Sequence, residues 1–312
     1  MKKLKFLVSL TTEDNDYQQE QASSAHAAAR RLGVDAKVIF AGNDSIAQSQ
    51  QLLNAIQSST AERPDAIMFE PVGGTAMPQV ARAALSAGVA WVVLNREVDY
   101  IPEFRREFNC PIFSITSDHE EIGRIQGRQL SALLANGGTV LHIQGPSASS
   151  AAQQRAAGMC ETSSANISVR VLKAQWTEAS AQQAVNSWLR LRTSQDSHID
   201  LVAGQDDSMA YGARKAFQQV TDEVERDRWL RLPFTGCDGT PQNGQAWVRS
   251  GLFAATIVIP PNTGLAFEML VDALLRGAVP PESSTTEAQS FPAIESLSGS
   301  FSPKARSATS KG

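Results

Sequence analysis

The heptapeptide AWVVLNR, residues 90–96, decides how the rest of the chain reads. Five apolar residues, Ala90 to Leu94, follow one another without alternation. Such a run fits a strand buried on both faces, as in a parallel sheet covered by helices. It then stops in Asn95 and Arg96. Ligands of open α/β sheets bind beyond the carboxyl ends of the strands, and an amide beside a guanidinium there offers planar, multi-donor hydrogen bonding. Taken alone, the stretch reads equally well as a strand end capped by solvated residues. The other strands decide between the two.

Working outward, the first half repeats one unit. Residues 4–10 form a strand, a polar loop spans 11–19, and a helix over 20–32 carries Ala25, Ala28, Ala29 and Leu32 on one face before Gly33 ends it. A strand at 36–40 precedes the capping cluster Asn43-Asp44-Ser45 and a helix with Ile46, Leu53 and Ile56. After Pro64 come a strand at 66–69, a helix opened by Gly73-Gly74-Thr75, and the strand at 90–94. The phrases RRLGVDAKVIF and ALSAGVAWVVL are variants of one pattern: helix end, Gly, Val, buried strand. Residues 97–110 break the rhythm and read as an excursion over the surface. The strand at 112–115 restores it, and Ser117-Asp118 caps a helix through 134.

From 139 the alternation restarts, with strands at 139–143, 169–174, 201–204, 234–236 and 254–259. Strand–helix alternation at this spacing specifies doubly wound parallel sheets with right-handed crossovers. The fold class is therefore α/β, with two Rossmann-like lobes of parallel sheet. The late helix, 264–276, has no place in the second sheet, so the chain is expected to cross between lobes near Ser117, Ile259 and Ser284, forming a multi-strand hinge that closes on a ligand. The expected division is 1–116 plus 260–285 against 117–259 plus 286–300, with 301–312, rich in Ser and Lys, as a disordered tail.

Composition excludes several classes. Hydrophobic content of 42% and charged content of 19% are globular values. A net charge of −4 and the lack of a long basic run give no reason to expect nucleic acid. Cys110, Cys160 and Cys237 show no metal spacing and read as buried thiols; no metal or cofactor is expected. The start, MKKLKFLVSLTTEDND, imitates a signal peptide, but its apolar part is short and runs into acidic residues. It reads as the first strand of the fold, leaving open a leader already removed or a cytoplasmic location. No stretch approaches the roughly 18 apolar residues of a membrane span.

The strand ends deliver a consistent chemistry: Asn15, Tyr17 and Gln18; Asn95 and Arg96; Arg155; Trp176; Gln205, Asp206 and Asp207; Asp238. Carboxylates, amides and guanidiniums exchange planar hydrogen bonds with hydroxyl groups, and aromatic faces cover the C–H face of a sugar ring. A small neutral polyol fits this set better than an anion, given Asp206, Asp207 and Asp238. Asp207 reads equally well as a helix N-cap without ligand contact.

At residues 204–212, GQDDSMAYG, the chain resembles the Q-N-D-x-M-A-x-G signature of type I periplasmic sugar-binding proteins of the ribose/galactose type, whose fold is shared by lac-repressor-like effector domains. Asn95-Arg96, Ser117-Asp118…Gly123…Gly127, Arg155…Gly158, GCDGTP at 236–241 and the strand 254–259 followed by Pro match further motifs in the family's order. The resemblance implies ligand contacts at Asn15, Tyr17, Asn95, Arg96, Arg155, Trp176, Asp206, Asp238 and Ile259. It implies the substrate-binding component of an ABC-type carbohydrate importer, periplasmic and monomeric, with an ABC permease as partner. The alternative is a stand-alone sugar sensor serving a sensor kinase or regulator. Asp206 stands where the family usually has Asn, and Ile259 where a ligand-bonding Gln is frequent. Both point to a sugar with one less-hydroxylated edge, a deoxy sugar or compact pentose. Nucleophile and metal-hydrolase motifs are missing, so no enzyme is expected.

Overall fold

The computed structural model describes residues 3–60, 62–191 and 198–297; the tail expected at 301–312 lies outside them. In chain order the strands are β1 (Lys5–Leu10), β2 (Asp35–Phe40), β3 (Ala66–Phe69), β4 (Ala90–Leu94), β5 (Ile112–Ser117), β6 (Gly138–Gln144), β7 (Ile167–Lys173), β8 (Leu201–Gly204), β9 (Phe234–Thr235), β10 (Thr256–Val258), β11 (Ser283–Thr286) and β12 (Gln289–Phe291). The chain divides into two units. The first comprises Met1–Asp118, Ala148–Ala151 and Pro260–Glu287; the second comprises His119–Ser147, Ala152–Ile259 and Ala288–Gly312.

The first unit holds a parallel sheet in the order β11-β5-β4-β3-β1-β2. Its central strands are apolar at every position because successive side chains point to opposite faces and both faces are covered. Phe6, Val8, Met68, Val92 and Leu94 enter one core with Ala25 and Phe267; Leu7, Ile67, Phe69, Trp91 and Val93 enter the other with Leu52 and Val80. The late helix, Thr263–Arg276, belongs to the first core, where the Phe267 ring lies 5.2 Å from Phe6. Asn262 ties it to the sheet by donating to the Ile115 carbonyl at 3.2 Å.

Two local expectations change. Residues 97–110 are not a surface excursion. Ile101–Glu107 is a helix, and Tyr100, Ile101 and Phe104 are buried in the second core. Trp91 Nε1 donates to the Tyr100 hydroxyl at 3.1 Å, which donates to the Ala76 carbonyl at 2.9 Å. The first helix begins at Asp16 rather than residue 20, because Asn15 accepts from the Gln18 amide and acts as its N-cap.

The second unit holds a parallel sheet in the order β7-β6-β8-β9. β10 pairs antiparallel with β12 and touches the sheet through single bridges, Thr235 to Ala255 and Asp238 to Val258. An aromatic cluster fills the core: Phe217 stacks on Trp229 at 4.8 Å, and Phe253 lies 6.3 Å from Phe234. Of the cysteines, Cys237 is buried but Cys160 is exposed, which corrects the expectation of three buried thiols. Burial raises the Cys110 thiol to about 11.

His142, on β6, is fully buried, and neither ring nitrogen has a hydrogen-bond partner among the described residues. Burial, reinforced by the charge of Lys173, lowers its pKa to about 4. A folded pKa below the unfolded value of about 6.5 means the unfolded chain takes up the proton first. Stability from this residue is therefore full above pH 6.5 and is lost as pH falls toward 4. Between pH 8 and pH 5 the loss is about 2 kcal/mol. Urea unfolding of the protein and of His142→Leu at both pH values checks this: the variant gains relative to the parent at pH 5. Parallel stability changes would refute it.

Candidate functional site

Of the expected site residues, Asn15, Tyr17, Asn95 and Arg96 lie in the first unit, and Arg155, Trp176, Asp206, Asp238 and Ile259 in the second. All are buried except Trp176, which is partly exposed.

In the first unit Asn95 follows β4 with φ 57°. A left-handed conformation is tolerated by Asn and turns the chain sharply at the strand end. Arg96 donates through Nη1 to the Asn95 carbonyl at 2.5 Å. Both lead to a residue that the sequence reading missed. Glu70, directly after β3, is 1% exposed. Its Oε1 accepts from Asn95 Nδ2 at 3.1 Å and lies 3.4 Å from Arg96 Nη1, while Oε2 accepts from Gln18 Nε2 at 2.9 Å. Gln48 Nε2 donates to the Glu70 carbonyl at 2.8 Å, and Gln18 Oε1 accepts from the Thr11 amide at 3.0 Å. The available signal was a charged residue straight after the apolar run AIMF and before Pro71, the pattern already noticed at Asn95-Arg96. Tyr17 lies inside the first helix, its hydroxyl donating to the Pro260 carbonyl at 3.3 Å.

In the second unit the Arg155 guanidinium bonds the Gln205 carbonyl through Nη1, reaches His119 Nδ1 at 3.4 Å, and lies 5.6 Å from the centre of the Trp176 ring. Trp176 has φ 61°, an outlier for a bulky residue. Its indole packs where a side chain on Gly145 would stand: a Cβ there would fall 2.3 Å from Cζ2. The Gly145 amide donates to Gln205 Oε1 at 2.9 Å. Gln205 and His119 thus set the frame around Arg155; His119 was visible only as the residue after the cap Ser117-Asp118.

The paired aspartates divide their roles. Asp206, not Asp207, is the N-cap of helix Asp207–Gln218, accepting from the Met209 amide at 2.5 Å. Asp207 is fully buried; Oδ1 accepts from Thr256 Oγ1 at 2.7 Å and Oδ2 from the Gly239 amide at 2.8 Å. Gly236 and Gly244 press against its carboxylate, where a Cβ would fall 2.1 and 2.0 Å from its oxygens. Asp238 has φ 103°, and its carbonyl accepts from the Ile259 amide at 3.0 Å. Strained backbone of this kind persists only where surroundings over-determine it, and it gathers at ligand sites. Among the described residues, three of the five non-glycine positions with positive φ are Asn95, Trp176 and Asp238.

No group of three or more His, Cys, Asp and Glu among the described residues could hold a metal ion, and no described helix is long and apolar enough to cross a membrane.

The family described as periplasmic binding protein domain matches residues 6–278. The ribose import binding protein RbsB of Escherichia coli is 25% identical over 269 residues, covering 86% of this chain and 83% of that protein. The galactofuranose-binding protein YtfQ of the same species is 22% identical over 281 residues, covering 88% and 83%. Among solved structures, a galactofuranose binding protein superposes with a TM-score of 0.78 at 20% identity, over 94% of this chain and 96% of that one. A solute binding protein from Actinobacillus succinogenes with bound D-allose gives 0.77 at 19% identity, over 95% and 99%. With its two α/β units of parallel sheet and a match that runs through most of its length, the chain belongs to the periplasmic binding protein domain family.

Proposed function

We propose that this protein is the sugar-binding component of an ABC-type carbohydrate importer, acting in the periplasm on a small neutral sugar. The observation that carries the reading is the placement of strained, polar or aromatic residues, Asn95, Trp176 and Asp238, at the carboxyl ends of strands, beside buried Arg96 and Arg155. Asn15, Tyr17, Asp206 and Ile259 complete the proposed contacts. Arginines and carboxylates supply directional hydrogen bonds to hydroxyl groups, and the Trp176 face supplies a surface for C–H groups. A relative named as a ribose import binding protein supports import over a sensing role, and one named as a galactofuranose-binding protein supports a sugar ligand.

Ile259 offers an apolar wall and Asp206 an acceptor, which favours a pentose or deoxy sugar. Calorimetric titration with D-ribose, L-arabinose, D-fucose, D-galactose, D-glucose and D-galacturonate tests the reading. Tightest binding to one of the first three is expected. Tightest binding to glucose or galactose would refute the preference, and to galacturonate the neutral ligand.

A further inference from the structure

We infer that Glu70 is the residue that makes the first unit's half of the site select a neutral ligand, by neutralising Arg96 from within the protein. The inference rests on the sugar-binding reading above. An arginine at a strand end would by itself favour carboxylates and phosphates, which match its fork in shape and charge. Here its Nη1 lies 3.4 Å from Glu70 Oε1. The side chains of Arg96 and Glu70 are 9% and 2% exposed, so solvent screens their interaction little. The dependence runs both ways. A carboxylate with so little exposure needs a cation and hydrogen-bond donors to remain charged, and Glu70 has Arg96, Asn95 and Gln18. The Glu70 carboxylate in turn offsets the charge of Arg96 from within the protein.

The surroundings hold Glu70 in place. Its amide donates to the Ser9 carbonyl at 2.9 Å, its carbonyl accepts from Gln48, and Gln48 Oε1 accepts from the Val72 amide at 3.0 Å. Gln18 is oriented by the Thr11 amide, so its Nε2 faces the carboxylate. Backbone from β1 and the side chains of Gln18 and Gln48 therefore converge on Glu70. Glu70 acts through Arg96 and Asn95 and is a positioning and specificity residue.

The test compares the protein, Glu70→Gln and Glu70→Asp by calorimetry against two matched pairs, D-ribose with D-ribonate and D-galactose with D-galacturonate. Glu70→Gln keeps the shape and removes the negative charge that Glu70 sets beside Arg96. It is expected to weaken binding of the preferred neutral sugar about tenfold and to shift the neutral-to-acid preference at least tenfold toward the acid. Glu70→Asp keeps the charge but withdraws it by one methylene, and should fall between the two. Should Glu70→Gln fail to fold, the intermediate shift in Glu70→Asp carries the test. Equal proportional losses for sugar and acid in the folded variants would overturn the role of Glu70 and leave the sugar reading intact. Failure of the sugar reading would show in the unmodified protein alone, as no binding of either neutral sugar, and would overturn both.

Discussion

Replacing Arg155 by lysine is expected to weaken sugar binding about 30-fold, roughly 2 kcal/mol, while the protein stays folded. The guanidinium is held from several directions, by the Gln205 carbonyl, by His119 and against the Trp176 ring. Lysine keeps the positive charge but has neither the planar fork nor a flat face to lie on the indole, so it cannot satisfy these neighbours and a sugar hydroxyl together. The loss should be mostly a faster release, since long-range charge is unchanged. Calorimetry with the preferred sugar measures the loss, and stopped-flow fluorescence of Trp176 and the other tryptophans separates the rates. Unchanged affinity would show that Arg155 serves the fold alone.

The second large effect separates two adjacent carboxylates. Asp207→Ala should destabilise the protein by about 3 kcal/mol or more, because two buried donors, Thr256 Oγ1 and the Gly239 amide, lose their acceptor together. Asp206→Asn should leave stability within about 0.5 kcal/mol, since Asn and Asp serve equally as N-caps. It should instead alter sugar affinity, because an acceptor-only group becomes a donor and an acceptor. Urea unfolding and calorimetry on both variants give a crossed pattern if the division holds. A stability loss in Asp206→Asn as large as that in Asp207→Ala would refute it.

The alternation of strands and helices was legible because it depends on neighbours in sequence. Apolar runs such as AWVVL, capping residues such as Asp44 and the stop at Gly33 act within one or two turns of chain. The same locality explains why Asn95, Arg96 and Asp238 stood out: a polar residue at the end of a buried strand is visible without knowing its partners. β11 escaped because SSTT has no apolar pattern; it is a polar edge strand that exists by pairing with β5 across more than 160 residues. The helix Ile101–Glu107 escaped because its few apolar residues mix with charges, and only packing in the second core shows that Ile101 and Phe104 are inside.

Within the candidate site, the sequence by itself determined which residue types arrive at the strand ends, because that follows from local patterning. Only the tertiary structure decided which of them are committed to the fold. Asp206 and Asp207 are adjacent and chemically identical in GQDDSMAYG, yet Asp206 caps a helix and Asp207 is locked between Gly236, Gly244 and Thr256. Glu70 is a lone acid just after a short strand until Gln18, Asn95 and Arg96, brought from other elements, surround it. A buried charge takes its meaning from the groups that neutralise it, and those partners are chosen by packing across the sheet rather than by spacing along the chain.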